Sequence, residues 1–280
     1  MTIAGSDSCG GAGIEADLKT FAALGVFGTC AITAITAQNT QGVYDILPIP
    51  PSMVKRQIEV VLEDISVKAA KTGMLYSKEI MEAVAKTLDR HELRVVVDPV
   101  FRAGTGSLLI REEDKEALIT TVVPRSFVIT PNKYEAEDIA QMKIRTIDHM
   151  KKAASIIGKL GAKAVVVKGG HLEGADVTDI LHHDGEFKIF TKPRVEVEAH
   201  GGGCTFSAAI AAYLALDYGV VEAVTKAEEF MQNAIAFGSR VGKGRVPVNP
   251  TASLFNEAEK HRRLFLDPLL SPQTNMKLKT

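Results

Sequence analysis

Tryptophan is absent from this 280-residue chain, and cysteine occurs only three times, at Cys9, Cys30 and Cys204. The cysteines are far apart, odd in number and form no CxxC pair. That argues against a disulfide framework or a zinc site built on cysteines, and fits a reducing cytoplasm. Excess charge is also missing: 33 Lys and Arg stand against 34 Asp and Glu, for a formal net charge of −1. A general electrostatic attraction to nucleic acid or to an anionic membrane is thereby excluded. No apolar run approaches the ~20 residues of a membrane span. The first residues, Met1-Thr2-Ile3-Ala4-Gly5, have neither the basic nor the apolar region of a signal peptide. A glycine-rich segment near the start, Gly5 to Gly13, matches neither the dinucleotide pattern GxGxxG nor GxxxxGK followed by Ser or Thr, and no P-loop occurs elsewhere.

What is present is an ordinary globular balance, 46% hydrophobic and 24% charged. That is enough apolar material for a sizeable core. Short runs rich in β-branched residues alternate with helical patterns. Thr29–Ala37, Lys68–Thr72, Arg94–Val97, Phe127–Thr130 and Ala164–Val167 predict strands. Ile14–Leu24, Ser52–Ile65, Lys78–His91, Glu112–Thr121 and Thr146–Leu160 predict the intervening helices. Strands without polar alternation, separated by helices, imply a mostly parallel sheet covered on both faces. Later the rhythm changes. Thr178–His182 and Glu186–Phe190 flank Asp184-Gly185, a strong hairpin signal. Val195–Glu198 alternates like a further strand, and long helices follow over Gly203–Leu216 and Val221–Val241. With no repeat or linker, one domain is expected over 1–262, with a flexible tail over 263–280.

The segment His200-Gly201-Gly202-Gly203-Cys204-Thr205-Phe206-Ser207 is the most informative. Phe206, Ile210, Tyr213 and Leu214 recur with helical spacing, so three glycines feed a helix N-terminus. Bare backbone approaches a ligand closely there, with unpaired N–H groups pointing outward. Cys204 sits in the first turn, where the helix dipole favours its thiolate. As a sequence the segment stays open between an anion hole with a reactive thiol and a flexible turn ahead of a core helix.

In open α/β sheets, ligands sit beyond the carboxyl ends of the strands. Five further loops there invite inspection. The first glycine-rich loop carries Asp7, with Asp17 in the helix beyond, and that acidity suits a neutral or cationic ligand better than phosphate; Asp17 also reads as a dipole-complementing residue. Asp98, ahead of Pro99, is placed for magnesium or a substrate hydroxyl, or starts a turn. Asn132 and Glu135 form a capping-box pattern, or face the site and organise a hydrated magnesium. Lys168, ahead of Gly169-Gly170, suits nucleotide phosphates or an exposed turn. Lys243 and Arg245, in Val241–Asn249, reach phosphates or are simply solvated. His182 and His183 belong to a hairpin tip. Each item alone is weak, but their occurrence in this order points jointly to phosphoryl transfer.

The chain resembles the ribokinase-like superfamily and, within it, the hydroxymethylpyrimidine/phosphomethylpyrimidine kinases of thiamine biosynthesis. The likeness runs from Thr2 to about Asn249. It rests on Thr2–Asp7, Gly10–Ile14 with Ala16–Thr20, Ala37-Gln38-Asn39-Thr40, Lys71–Leu75, Asp98-Pro99-Val100, Thr130-Pro131-Asn132 with Glu135-Ala136, and Gly203–Ser207. The resemblance implies a three-layer α/β/α fold, a homodimer, and ATP- and Mg2+-dependent phosphorylation of an aminopyrimidine's hydroxymethyl group and then of the monophosphate. It implies that Gln38 reads the aminopyrimidine, its amide offering donor and acceptor together. Gly5, Asp7, Asp17 and Met74 would line the same pocket. Asp98 and Glu135 would organise the metal, and Asn132, Lys168 and Lys243 the nucleotide. Gly201, Gly202 and Gly203 would present amides to the transferring group, and Cys204 would deprotonate or orient the hydroxyl. Cys204 stands where many sugar kinases of the superfamily have Asp. Gly202 stands where the family has Thr, and the Phe101–Gly106 stretch also departs from its pattern. Pyridoxine/pyridoxal kinase is the nearest alternative, and a pyrimidine-binding regulator without turnover a more distant one.

Overall fold

The computed structural model describes residues 1–104 and 106–254, so the expected tail at 263–280 and the last residues before it lie outside the described residues. Nine strands form one sheet in the order β3-β2-β1-β4-β5-β6-β7-β8-β9. Six are parallel: β1 (Thr2–Asp7), β2 (Cys30–Asn39), β4 (Ala69–Thr72), β5 (Arg94–Val97), β6 (Val128–Ile129) and β7 (Ala164–Val167). Antiparallel strands finish both edges. β3 (Gly42–Pro48) pairs with β2 on one side, and the hairpin β8 (Asp176–His183) and β9 (Glu186–Pro193) closes the other.

β5 beyond Arg94, β6 and β7 are apolar at every position because both faces are covered. Val95, Val97, Val165 and Val167 pack with Val54, Ile58, Ile80, Met81, Met150 and Ile157. These come from α2 (Pro51–Asp64), α3 (Lys78–Leu88) and α6 (Ile147–Lys159). The alternate residues Val96, Ala164 and Val166 enter a second core with Phe21, Phe206, Ile210 and Phe230. That core is built from α1 (Gly13–Ala23), α7 (Gly202–Ala215) and α8 (Val220–Ala236). The period-2 strand geometry therefore separates two cores on either side of the sheet, giving the expected α/β/α layering.

Three local expectations change, and β3 is a strand not among those expected. The stretch Glu112–Thr121 is not one regular helix: a 3-10 turn (Glu112–Asp114), a single α turn (α4, Lys115–Ala117) and a π turn (Leu118–Val122) follow one another. Val195–Glu198 is not a strand. The chain leaves the sheet after Pro193 and next pairs at β10 (Ala199–His200), which lies parallel to β11 (Val246–Pro247). Val195, Val197 and Glu198 line a cavity instead. α8 stops at Ala236 rather than Val241, where the chain turns at Gly238 and packs against Pro247. The strand β3 follows a turn fixed by Asn39 Oδ1, which accepts from the amides of Gln41 and Gly42 at 2.8 and 3.3 Å.

Between the central sheet and α1 lies a fully buried ion pair. Lys71 Nζ donates to Asp17 Oδ1 and Oδ2 at 2.9 and 2.8 Å, and Thr2 Oγ1 donates to Asp17 Oδ2 at 2.6 Å. Both ions are 0% exposed. Asp17 therefore neither complements the dipole nor lines the cavity; its position in the second turn of α1 points it under the sheet's end. Asp17→Asn is expected to cost about 3–5 kcal/mol, because an unpaired ammonium would stay buried. Replacing both ions by apolar residues, as in Asp17→Leu with Lys71→Met, should recover most of that loss in urea unfolding. A double variant no more stable than Asp17→Asn would show that the pair stabilises in its own right.

Candidate active site

The parallel strands β1, β4, β5, β6 and β7 all end on one side, and the loops after them wall a cavity of about 1030 Å³. Gly5, Asp7, Gln38, Met74, Asp98, Asn132, Glu135, Lys168, Gly201, Gly202, Gly203 and Cys204 all line it. Residues separated by as many as 199 positions of chain are thus brought together, as the order of loops in the sequence predicts. Two candidates stay outside. Asp17 is buried beneath the wall, and Lys243 is exposed to solvent away from it; Arg245 reaches the cavity instead.

At one end, Asp7 terminates β1. Its carboxylate accepts from the amides of Cys9, Gly11 and Ala12 at 2.8, 3.1 and 2.8 Å, and bonds His200 Nε2 at 2.9 Å. Burial works against its charge, but the His200 bond and the loop amides outweigh burial and hold the carboxyl below its usual range. The acidity of this loop is therefore largely matched within the fold. His200 is itself 4% exposed and stands 3.5 Å from Gln38 Nε2, while Thr36 Oγ1 donates to Gln38 Oε1 at 3.2 Å. Gln38 is held by its neighbours with its amide on the cavity wall. His200 carried no separate signal in the sequence beyond preceding the glycines.

At the other end stand Asp98, Glu135 and Lys168. Lys168 Nζ donates to Asp98 Oδ1 at 3.3 Å. Burial pushes the Glu135 carboxyl up, to about 8; Lys168 opposes this and Asp98 adds to it. Burial would discharge Lys168, but Asp98 and Glu135 hold it above the usual lysine range as a cation. Asn132 caps α5 (Lys133–Ala140): its Oδ1 accepts from the amides of Tyr134 and Glu135, and Glu135 Oε2 accepts from the amide of Asn132 at 2.7 Å. The capping box is thus real and also lies on the cavity wall, so the two readings of Asn132 and Glu135 coexist. Beyond Lys168, the loop is tied down. Asp179 accepts from the Gly169 amide at 2.7 Å, and Arg194 donates to the carbonyls of Gly170, Leu172 and Gly174.

The α7 N-terminus lies between these ends. Gly201 adopts φ +80°, and a Cβ there would fall 1.7 Å from the Gly11 carbonyl oxygen, so only glycine lets the two glycine loops touch. At Gly203 a Cβ would stand 3.3 Å from Lys168 Nζ and 3.4 Å from Asp98 Oδ2, which places bare backbone against that ion pair. Cys204 follows. Burial pushes its thiol up to about 11, with Lys71 opposing and Asp17 and Asp98 adding to the rise. The dipole expectation is therefore corrected: desolvation outweighs the helix end, and the resting side chain is a thiol.

A family model of phosphomethylpyrimidine kinase matches residues 7–249. The chain belongs to the phosphomethylpyrimidine kinase family. It is 43% identical to the hydroxymethylpyrimidine/phosphomethylpyrimidine kinase of Bacillus subtilis over 265 residues, covering 94% of this chain and 98% of that one. The enzyme of the same description from Rhizobium meliloti is 44% identical over 253 residues, covering 89% and 95%. Among solved structures, the phosphomethylpyrimidine kinase of Clostridium difficile superposes with a TM-score of 0.76 at 45% identity, over 84% of this chain and 97% of that one. An ADP complex of Bacillus subtilis pyridoxal kinase gives 0.84 at 37%, over 91% and 98%. These likenesses establish a kinase of ribokinase-like fold.

Within this kinase, Gly202 differs from its neighbours. Its φ is not left-handed, and a Cβ there meets only Met231 Cε at 3.8 Å. Gly202→Ala is expected to stabilise by about 0.4–1 kcal/mol by restricting the unfolded chain, and Gly202→Thr to fold. Gly201→Ala should cost at least ~2 kcal/mol through strain and overlap. Urea unfolding of the variants separates these cases, and equal damage at 201 and 202 would contradict the open space at Gly202.

Proposed function

We propose that the protein transfers the γ-phosphoryl group of ATP to the 5-hydroxymethyl group of 4-amino-5-hydroxymethyl-2-methylpyrimidine, and then phosphorylates the monophosphate to the diphosphate for thiamine biosynthesis. One observation carries the reading. A hydrogen-bonding amide, Gln38, and a phosphoryl-transfer set, Asp98, Lys168, Gly203 and Cys204, line one cavity from opposite ends. The relatives' names specify the same chemistry.

In this reading Gln38, whose Oε1 accepts from Thr36 Oγ1, presents its amide to the aminopyrimidine edge. Lys168, kept charged by its carboxylate neighbours, draws the nucleotide phosphates toward the bare backbone of Gly203. Asp98 and Glu135 supply hard oxygen donors in a buried site where Glu135 resists ionising alone, a set that fits Mg2+. Bound there, magnesium would neutralise charge on the phosphates. Cys204, a thiol at rest, orients the hydroxyl, and its thiolate fraction accepts the proton; Lys71 is the cation that favours that form. Positioning and electrostatics then supply most of the acceleration.

Pyridoxal kinase is the second reading, favoured by structures such as the Staphylococcus aureus enzyme with AMP-PCP and pyridoxal, which superposes with a TM-score of 0.82 at 36% identity. Parallel incubation with Mg-ATP and hydroxymethylpyrimidine, pyridoxal or ribose decides, following mono- and diphosphate products. Pyrimidine diphosphate is the expected product. Pyridoxal phosphate alone would support the second reading, and tight pyrimidine binding without product a regulator. Cys204→Ala is expected to slow the first phosphorylation by ~10²–10⁴-fold and the second less, since its attacking oxygen already belongs to a phosphate. Equal losses in the two steps would refute the proton role.

A homodimer and a cytoplasmic location complete the proposal. Ile35 and Leu47, paired across β2 and β3, are 46% and 64% exposed, and Tyr44 on β3 is 68% exposed, an apolar strip that suits a second copy. Leu47→Glu should shift the mass measured by light scattering from dimer to monomer, and an unchanged mass would remove this strip from the interface. Three free cysteines suit a reducing compartment, and among the described residues no helix is long and apolar enough to cross a membrane.

A further inference from the structure

Cys9 is the one titratable side chain of the first glycine loop that the kinase chemistry does not use, and it lies beside two groups that can ligate metal. The Cys9 thiol, an Asp7 carboxylate oxygen and a His200 ring nitrogen all lie within 4.8 Å of one another. We propose that Asp7, Cys9 and His200 form a three-ligand site for a zinc-class transition ion, and that its occupation closes the pyrimidine end of the cavity.

The donors are of the right kind. Thiolate, imidazole and carboxylate are the usual zinc ligands, and three of them with one open position make the common arrangement for an exchangeable zinc. Thiolate and imidazole disfavour magnesium, so the ion used in phosphoryl transfer does not compete for this site. The ligands are also held in place. Asp7 is fixed by the amides of Cys9, Gly11 and Ala12, and the amide of Gly11 also points at the Cys9 sulfur. Such outer hydrogen bonds orient metal ligands and govern affinity. Asp7 Oδ2 and His200 Nε2 stand 2.9 Å apart as a hydrogen-bonded pair. Bonds of about 2.0–2.3 Å to a tetrahedral ion require ligand separations nearer ~3.3–3.8 Å, so this pair opens by a few tenths of an ångström and the Cys9 side chain rotates inward.

Binding balances as follows. The Cys9 S–H bond breaks and its proton leaves to solvent; His200, which donates from Nε2 to Asp7 at rest, gives that proton to solvent and takes one from solvent at Nδ1, which leaves the Nε2 lone pair for the ion. No oxidation occurs. Lys19 is the nearest opposing cation, but its ammonium is engaged by the Gly10 carbonyl at 2.7 Å. Two anionic ligands outweigh it. Once the ion is bound, His200 no longer donates to Asp7, and the ion stands beside the Gln38 amide, which lies 3.5 Å from His200 Nε2, so it intrudes where the pyrimidine would be read. This effect on turnover rests on the pyrimidine reading above, whereas the metal site itself does not.

Cobalt is the probe. Reduced, metal-free protein titrated with Co2+ should gain, at one equivalent, intense visible d–d absorption and a near-ultraviolet thiolate-to-cobalt band, both displaced by Zn2+. Cys9→Ser should lose the thiolate band, while Cys30→Ser retains it. In kinase assays with free Zn2+ held by a metal buffer, inhibition should be competitive with pyrimidine, and Cys9→Ser should need about tenfold or more zinc for the same inhibition at unchanged zinc-free activity. No cobalt spectrum, a thiolate band that survives Cys9→Ser, or zinc inhibition indifferent to Cys9 would overturn the proposal. A protein with the cobalt spectrum but no pyrimidine turnover would refute the substrate reading and leave the metal site standing.

Discussion

The Lys71–Asp17 ion pair is the constraint around which the catalytic end of this fold is arranged. A buried ammonium is tolerable only beside a buried carboxylate. Asp17 must therefore lie in the second turn of α1 with its side chain aimed at the end of β4, and this fixes where α1 begins. The loop ahead of α1 then meets the loop ahead of α7, backbone against backbone, at Gly11 and Gly201. The same pair sets the electrostatic floor under Cys204: Lys71 pulls the thiol toward ionisation, while Asp17 holds most of that charge in check. A thiol at the start of a helix is not a thiolate by position alone. What lies beneath it decides.

The two ends of the cavity solve opposite problems. Around Gln38, the charge of Asp7 is met by loop amides and His200, leaving a neutral hydrogen-bonding amide on the wall. Around Lys168, burial keeps Glu135 largely protonated, so Asp98 and Lys168 balance one another, and an incoming cation would draw Glu135 toward ionisation. A neutral hydrogen-bonding surface and a charged one thereby share a single cavity, with α7's N-terminus between them.

Much of this was legible in the sequence because it depends on local pattern. Valine-rich runs such as Arg94–Val97 and Ala164–Val167 became strands over those same residues, since a strand covered on both faces is mostly apolar. Asp98, Asn132, Glu135 and Lys168 could be picked out because a strand's end fixes where the next residue points. Failures came where distant chain decides. Lys71 reads as one more lysine until α1 brings Asp17 to it. His200 becomes a partner of Asp7 only after the chain has crossed the sheet and returned, 193 residues later. Val195–Glu198 alternates like a strand, yet follows a cavity wall. Lys243 and Arg245 are indistinguishable by composition; the parallel pairing of Val246 and Pro247 with β10 selects the second.

The walls of the cavity are attached in different ways. On one side a single guanidinium, Arg194, grips three alternate carbonyls of the loop after Lys168, and Asp179 holds its first amide, so that loop is stitched to the antiparallel edge of the sheet. On the other side the Phe101–Leu109 segment bonds chiefly to itself, Leu109 to Phe101 and Ala103 to Ser107. One wall can shift only as far as the sheet's edge shifts with it. The other is held at its ends by buried side chains, Phe101 and Leu109, so one wall is fastened by charge and amides and the other by packing.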